Sequence, residues 1–370
     1  MIDIKLKLTP GHISDKDWMA PSPFEQIFWN ITSACNFQCG ICFSDSGAPS
    51  ADDLTTAEAR KAIRDAAAAG VKDIVVSGGE PFLRPDLFEL LAYMRELGTS
   101  ARIATNGSLL DRALIERVRR ETSTKAFQVS LDTLDRDAYR DIHGAPPEML
   151  DTAIAALRVM RELGFHTTVS SRLGPKTLPT LPALLDRAAA EGWATVTVHL
   201  PLHTGRAAGS WPQDDDLLAR LEPVFDHFLS LPEHWVVETT IPWARYHPII
   251  RKLSKRIRVA HAGCGSCRCR LAIHADGSIT PCICIGDPAV RMGNVRHDDI
   301  GAIFRDHPLA DLYRRPAAHG VCADCGNVTR CGGGCRATAL ALTGKIDALD
   351  GSCPVRRRRA QREAAAHVRP

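Results

Sequence analysis

The sequence predicts an α/β protein that continues into a cysteine-rich module, and three observations carry that expectation. Between about residues 24 and 200, short runs rich in β-branched residues alternate with longer helix-like stretches. Most of the short runs are continuously apolar, as strands of a parallel sheet buried on both faces must be. The 13 cysteines are unevenly placed: three at Cys35, Cys39 and Cys42, none until Cys264, and ten from there to Cys353.

Six strands are expected, at Gln26–Thr32, Asp73–Ser77, Ala101–Thr105, Phe127–Leu131, Thr167–Ser171 and Thr195–Leu200. The helices between them are expected at Thr56–Ala69, Asp86–Leu97, Asp111–Arg120, Glu148–Leu163 and Leu181–Glu191. Three of these end at a glycine able to take the left-handed conformation that closes a helix, namely Gly70, Gly98 and Gly164. Six βα units in succession imply right-handed crossovers and a parallel sheet, either open or curled towards a barrel; periodicity does not choose between the two. Pro201–Asp216 reads as a linker, followed by a helix at about Leu217–Ser230. Beyond Gly263 one hairpin is expected, with Leu271–His274 and Ser278–Pro281 flanking Ala275-Asp276-Gly277. That region holds few large apolar residues, so bound metal is expected to supply its stability.

Composition narrows the function. The chain has 370 residues, which sets a prior of roughly two domains. Its 46 basic and 43 acidic residues give a net charge of +3, a balance that argues for neither a nucleic-acid partner nor a membrane surface. The basic run Arg356–Arg359 reads as a solvated tail. An odd number of cysteines cannot close entirely into intramolecular disulfides, the first residues have no apolar signal region, and no run of about 18 apolar residues occurs. The thiols are expected to be reduced and the protein cytoplasmic, so metal chemistry is their most economical use.

Cys35-x3-Cys39-x2-Cys42 lies directly after the first expected strand, where the crevice of a parallel α/β sheet opens. Three soft ligands without a local fourth suggest a metal centre with an open position; three packed thiols, or a zinc loop with a remote ligand, are the alternatives. This spacing resembles the signature of the radical S-adenosylmethionine (radical SAM) family, in which three cysteines hold a 4Fe–4S cluster and SAM chelates the fourth iron. The second marker of that family follows the second strand as Gly78-Gly79-Glu80-Pro81. Glycines there let the backbone approach a ligand, and Glu80 offers an acceptor to an ammonium group. Thr105-Asn106-Gly107 and Ser130-Leu131-Asp132 match neighbourhoods that line the SAM pocket in similar enzymes, while Ile41 departs from the aromatic residue usual before the last cysteine. The resemblance implies Gly78, Gly79, Glu80, Asn106, Ser130 and Leu200 as SAM-binding residues. It leaves Asp132 as a cap or as the catalytic base, and His199 and His203 near the same crevice.

A second pattern, Cys322-x2-Cys325-x5-Cys331-x3-Cys335 with Cys353 downstream, follows Cys267-x9-Gly277-x4-Cys282. It resembles the SPASM extension of enzymes that mature ribosomal peptides. A zinc ribbon would explain the paired cysteines equally well by spacing; the company of a radical SAM core favours iron–sulfur. The resemblance spans about residues 24–353 and implies a partial (β/α)6 TIM-like barrel with a C-terminal Cys-rich iron–sulfur domain. Its expected organisation is an N-terminal extension (1–23), a radical SAM core (24–235), a bridging segment (236–263), an auxiliary-cluster domain (264–353) and a basic tail (354–370). Of two implied auxiliary 4Fe–4S clusters, one takes Cys322, Cys325, Cys331 and Cys353, and the other takes Cys282 and Cys335 with two of Cys264, Cys267 and Cys269. Two of Cys264, Cys267, Cys269 and Cys284 are then not ligands.

The implied activity is reductive cleavage of SAM to a 5′-deoxyadenosyl radical, fed by a flavodoxin- or ferredoxin-type electron donor, with oxidative modification of a substrate. A ribosomally made precursor peptide is the expected substrate, for cross-linking, dehydrogenation or decarboxylation. The alternative is a small molecule of an aminoglycoside, sugar or nucleoside pathway, which suits a first cysteine as early as residue 35, with no separate leader-binding domain expected before it. A non-catalytic iron–sulfur or zinc scaffold is disfavoured by the open-site loop.

Overall fold

The computed structural model describes residues 3–7, 22–199, 203–209, 220–231, 236–239, 257–259, 264–316, 322–323, 325–326, 328–350 and 353. Its centre is a parallel wall of six strands, β2 (Gln26–Asn30), β3 (Asp73–Ser77), β4 (Ser100–Thr105), β5 (Thr124–Ser130), β6 (His166–Arg172) and β7 (Thr195–His199), hydrogen-bonded in that order. The crossovers carry α1 (Thr56–Ala68), α2 (Leu87–Glu96), α3 (Arg112–Glu121), α4 (Arg136–His143), α5 (Glu148–Glu162) and α6 (Leu181–Glu191). Strands paired in chain order make every crossover step the same way, which is how a barrel wall is wound. The wall does not close on itself. The free edge of β7 pairs antiparallel with β1 (Asp3–Lys7), and that of β2 pairs parallel with β10 (Arg270–Ile273), giving a partial (β/α)6 barrel.

Local chemistry accounts for these elements. In α1, Thr55 and Glu58 form a reciprocal capping box, and Asp111 and Asp135 cap α3 and α4. Gly70, Gly98 and Gly164 take φ of +97°, +71° and +79° one residue past the caps of α1, α2 and α5, as their positions in the sequence suggest. Helix α4 is not foreshadowed: its buried Tyr139, Ile142 and His143 fall at i, i+3 and i+4 on one face, but at eight residues it is shorter than any helix expected from the sequence.

The ends of the chain depart further from expectation. The N-terminal extension supplies a strand, β1, and beyond it the sheet continues through β8 (Val236–Thr239) and β9 (Ile257–Val259) from the bridging segment. The hairpin forms where expected, as β10 and β11 (Ser278–Thr280), with β12 (Gly293–Asn294) beside it. Because β10 pairs with β2, Arg270 opposite Gln26 and Ile273 opposite Trp29, the C-terminal region is an extension of the barrel sheet. It also shares the barrel's core: Leu271, Ile273, Ile279, Val295, Ile300 and Phe304 pack in one apolar cluster with Ile27, Trp29 and Ile74. The expectation that this region lacks an ordinary core is therefore corrected, since its apolar residues need only cover one sheet edge. A smaller cluster of Ala272, Ile283, Cys284, Ile285, Val290 and Ala337 lies beside it.

Helices α7 (Glu222–Ser230), α8 (Ile300–Asp306), α9 (Leu309–Arg314), α10 (Val328–Cys331) and α11 (Arg336–Thr343) complete the described structure. Residues 210–219, the tail 354–370 with Arg356–Arg359, and Leu200 lie outside the described residues.

Two contacts lock the C-terminal region down. Phe304 of α8 stacks on Phe24 with ring centroids 4.4 Å apart. Arg296 bonds Glu58 at 2.8 Å, the Asp276 carbonyl at 2.7 Å and the Asp52 carbonyl at 2.8 Å. Replacing Phe304 by Ala is expected to cost about 3–5 kcal/mol. In urea unfolding the barrel and hairpin signals should still fall together, at a lower midpoint; two separate transitions would contradict a shared core.

Candidate active site

The loop after β2 carries Cys35, Cys39 and Cys42 and is fixed on three sides. Cys35 N–H donates to Gly47 O at 2.7 Å, closing the loop on itself. Gln38 and Gly40 N–H donate to His143 O and Ile142 O at 3.1 and 2.9 Å, so the loop satisfies carbonyls that the end of α4 leaves open. Phe37 packs edge-on against Tyr139 of the same helix. From above, Arg206 donates from Nε to Cys39 O at 2.9 Å and from Nη2 to Ser46 O at 2.9 Å, and pairs with Asp45 at 2.7 Å. The preceding Gly205 has φ +59°, and a Cβ there would stand 2.6 Å from Cys42 O. A segment that reads as linker in the sequence is thus a clamp on the cysteine loop; no sequence signal marks it.

All three cysteines line a cavity of about 140 Å³ at the C-terminal ends of the strands. The turn after β3 also lines it, packed directly against the cysteine loop. A Cβ on Gly79 would lie 2.0 Å from Ala34 O, and one on Gly78 2.5 Å from Thr32 O, so only glycine lets this turn press against the cysteine loop. Glu80 does not line the cavity. It is fully buried behind the turn, accepting from Thr105 Oγ1 at 2.9 Å, Asn106 N at 2.8 Å and Phe82 N at 3.3 Å. Burial pushes its carboxyl up to about 7, against the pull of those bonds. Asn106 lines the cavity and donates to Asn36 Oδ1 at 2.9 Å, joining the β4 turn to the cysteine loop.

Ser130 lines the cavity, as do Asp132, Arg172 and His199. Asp132 is 3% exposed, accepts from Arg172 N, and lies 3.3 Å from His143 Nε2. His143 in turn places Nδ1 3.4 Å from Cys39 Sγ. Asp132, expected as cap or base, is therefore engaged in a buried chain that positions His143 against Cys39. Burial raises the Asp132 carboxyl and the Cys39 thiol and lowers the His143 imidazole. His143 and Arg172 escaped the sequence reading because each sits in an element end with no motif of its own. Arg172 lies over the Phe43 ring at 5.6 Å, and its buried Nη1 has no hydrogen-bond partner among the described residues. Cavity His199 ends β7, while burial lowers the half-buried His203.

Of the remaining cysteines, Cys264, Cys267, Cys282 and Cys335 are neighbours in one place, and Cys331 and Cys353 in another. Burial pushes the Cys267 thiol up, and the adjacent Cys264 and Cys282 add to it; Cys335 is pushed up to about 11 by burial, Asp350 and Cys282. Cys267 holds φ +55°, rare for a residue with a side chain, and its carbonyl accepts from Arg314 Nε at 2.8 Å. Tyr313 stands among these four thiols, 3% exposed, its hydroxyl without a partner among the described residues. Cys269 turns its thiol to Gly265 O at 3.6 Å, and Cys284 hydrogen-bonds Cys282, pulling Cys282 down and itself up. In the second group, burial pushes Cys331 up to about 12, with Cys353 adding to it, while the N–H groups of Gly333 and Gly334 pull it down. Gly332, Gly333 and Gly334 all take positive φ, which aims those N–H groups at the sulfur. Cys325 N–H donates to Cys322 O at 3.0 Å. Buried thiols with backbone N–H donors at Cys331, the guanidinium groups of Arg270 and Arg314 beside Cys264 and Cys267, and an orphaned hydroxyl fit an iron–sulfur cluster, whose thiolate ligands those donors and cations would stabilise.

Two outcomes follow. Gly79→Ala should displace Ala34 and Cys35, so that iron retained at the first cysteine group after reconstitution falls severalfold relative to the C-terminal groups. In cluster-free protein the folded state keeps the Glu80 proton that the unfolded chain loses above its ordinary 4.5, so stability from this group is full below 4.5 and falls by about 3 kcal/mol as pH rises through about 7. Glu80→Gln should flatten that part of the pH–stability curve; an unchanged slope would contradict the assignment.

The profile of the Radical SAM superfamily matches residues 29–188, and that of the SPASM iron–sulfur cluster-binding domain matches residues 264–326. The chain is 27% identical to an AdoMet-dependent heme synthase of Methanosarcina barkeri, over 86% of this chain and 93% of the relative. It is 25% identical to the mycofactocin maturase MftC of Mycobacterium ulcerans, over 88% of this chain and 87% of that one. The fold is also that of Streptococcus suis SuiB, solved with its precursor peptide SuiA, at a TM-score of 0.67 and 19% identity over 89% of this chain and 75% of SuiB. With both profiles matched in order, the first over the barrel and the second from the hairpin onward, the chain belongs to the radical SAM enzymes that carry a C-terminal SPASM domain, whose cofactors are 4Fe–4S clusters and S-adenosylmethionine.

Proposed function

We propose that Cys35, Cys39 and Cys42 hold the SAM-binding cluster, that Cys264, Cys267, Cys282 and Cys335 hold one auxiliary cluster, and that Cys322, Cys325, Cys331 and Cys353 hold another. The observation that carries the reading is the shared cavity, which is lined by the three thiols together with the Gly78-Gly79 turn, Asn106 and Ser130. When bound, the cluster and SAM supply a one-electron cleavage that yields a 5′-deoxyadenosyl radical able to take hydrogen from carbon. The residues of the chain bind, orient and exclude water. The glycine turn brings bare backbone to the wall where an ammonium can be received. Arg172 offers the orphaned Nη1 to a carboxylate. Asp132 and His143 hold Cys39, and Arg206 holds the loop from the other side. Phe43 and Ile41 supply apolar wall.

Cys264, Cys267, Cys282 and Cys335, and Cys322, Cys325, Cys331 and Cys353, would hold auxiliary clusters, which would supply an acceptor for the electron that a substrate radical loses in an oxidative outcome. A flavodoxin- or ferredoxin-type donor supplies the electron for SAM cleavage. The substrate is a ribosomally made peptide, a reading supported by the likeness to MftC and to the fold of SuiB. No helix among the described residues is long and apolar enough to cross a membrane, and the reaction is placed in the cytoplasm because it needs reduced thiols.

Anaerobic reconstitution should load about 12 irons per chain, three clusters of four, and about 8 in Cys39→Ala. Reduction should release 5′-deoxyadenosine from wild type and none from Cys39→Ala, and a turned-over precursor peptide should lose two hydrogens or a carboxyl group by mass. About four irons in the wild type, or SAM cleavage by the variant, would refute the reading.

A further inference from the structure

Beside the cysteine cavity lies a larger one of about 340 Å³, walled on one side by the loop after β2 and on the other by the β10–β11 hairpin. Ser44 and Ser46 line both cavities, so the two share a wall. The largest pure hydrocarbon side chain on its wall is the methyl of Ala275, and hydroxyls of Thr32, Ser44, Ser46 and Ser278 face it. A flat apolar ligand would strip water from these groups and return no hydrogen bonds.

Its charge has a sign. Three carboxylates, Asp52, Asp53 and Asp276, face one guanidinium, Arg291, which is already paired with Asp276 at 3.3 Å. His274 on the same wall bonds Thr280 at 2.8 Å, and burial lowers its pKa, so it adds no charge. Arg296 braces both walls through the Asp52 and Asp276 carbonyls but pairs with Glu58 outside the lining. Asp53 uses Oδ2 for Thr32 and Ser33, which leaves its other oxygen for an incoming donor. At the end of β2, Asn30 is 5% exposed, lines the chamber, and its Oδ1 accepts no bond among the described residues. A buried carboxamide acceptor without a donor is costly and marks a place where a ligand N–H belongs.

We propose that this chamber is a substrate-anchoring subsite that takes an ammonium or guanidinium group on a hydrogen-bonding molecule. Asp53 and Asp276 carry the charge contact, and Asn30 Oδ1 accepts an N–H. The assignment rests on the neighbouring cavity being the SAM site. The cation can belong to a lysine or arginine side chain of a precursor peptide or to a free amino-polyol, two sources of one chemistry.

The test titrates cluster-loaded protein with acetyl-Ser-Lys-Ser-amide, its norleucine and glutamate counterparts, and the amino-polyol glucosamine, following each by ligand-observed NMR. Binding of a cationic probe is expected, at least about tenfold tighter than the norleucine peptide, weakening about tenfold in Asp53→Asn and in Asp276→Asn, and falling as salt rises. Tighter binding of the lysine peptide identifies a peptide source, and tighter binding of glucosamine a free amine. Equal binding of the neutral peptide, preference for the glutamate peptide, or unchanged affinity in Asp53→Asn would overturn the subsite. Asp276 also accepts from Ser278 in the hairpin, so Asp53→Asn and the salt dependence decide if Asp276→Asn fails to fold. Charge-selective binding without any 5′-deoxyadenosine on reduction would leave a cation site but remove the SAM reading and with it the substrate-anchoring role; 5′-deoxyadenosine without cation binding would remove the subsite alone.

Discussion

The active site depends on a side chain that is not there. Gly79 lets the turn after β3 come so close to Ala34 that its own N–H reaches Thr32 O at 2.9 Å and the next N–H reaches Ala34 O at 2.7 Å. That contact sets the distance between the cysteine loop and the rest of the cavity. From it follow the burial of Glu80 behind the turn, its bonds to Thr105 and Asn106, and the bond from Asn106 to Asn36, which returns to the cysteine loop. The circuit closes on itself, so each strand end is held by the next rather than by solvent-exposed loops. Preorganisation of this kind lets a cavity bind a flexible, highly charged cofactor without ordering itself at the same moment.

The second organising contact is the parallel pairing of β10 with β2. It places the hairpin beside the cysteine loop and so makes the polar chamber a joint product of barrel and C-terminal region. The barrel leaves its β2 edge open, and an uncovered edge is a template for wrong partners. Here the same chain covers it. The covering strand also orients the turn of Cys264, Cys267 and Cys269, which enters β10 directly.

Much of this was legible in the sequence, for physical reasons that differ by element. Strands β3 and β7 announced themselves because they are buried on both faces; strand β3 (Asp73–Ser77) and helix α6 (Leu181–Glu191) have the bounds their patterns suggest. The cysteine loop and glycine turn were legible because chemistry and steric clearance restrict those positions to one residue type. What escaped was set by tertiary contact. His143 lies at the end of a helix of only eight residues, and Arg206 acts from a single 3-10 turn, Gly205–Ala207, within a stretch that reads as linker. Glu80 is the instructive case: its type suggested a ligand acceptor, and the fold turned it inward to bind its own backbone. Of Cys264, Cys267 and Cys269, spacing gave equal claims, and it is tertiary contact that brings Cys282 to Cys264 and Cys267.

The register between Gln26 and Arg270 has a consequence for how the protein is made. A ribosome adding on the order of 5–20 residues per second delivers the partner strand of β2 only after a delay of tens of seconds, with the rest of the barrel wall already synthesised. During that interval the loop of Cys35, Cys39 and Cys42 is attached to a sheet with a bare flank, and pairing so distant in sequence is intrinsically slow. Iron delivered while the chain is still emerging would meet thiols that lack their final surroundings. The topology thus ties the final surroundings of these three thiols to synthesis of a strand about 240 residues further along the chain, so that their pocket is completed only when the C-terminal region has been made.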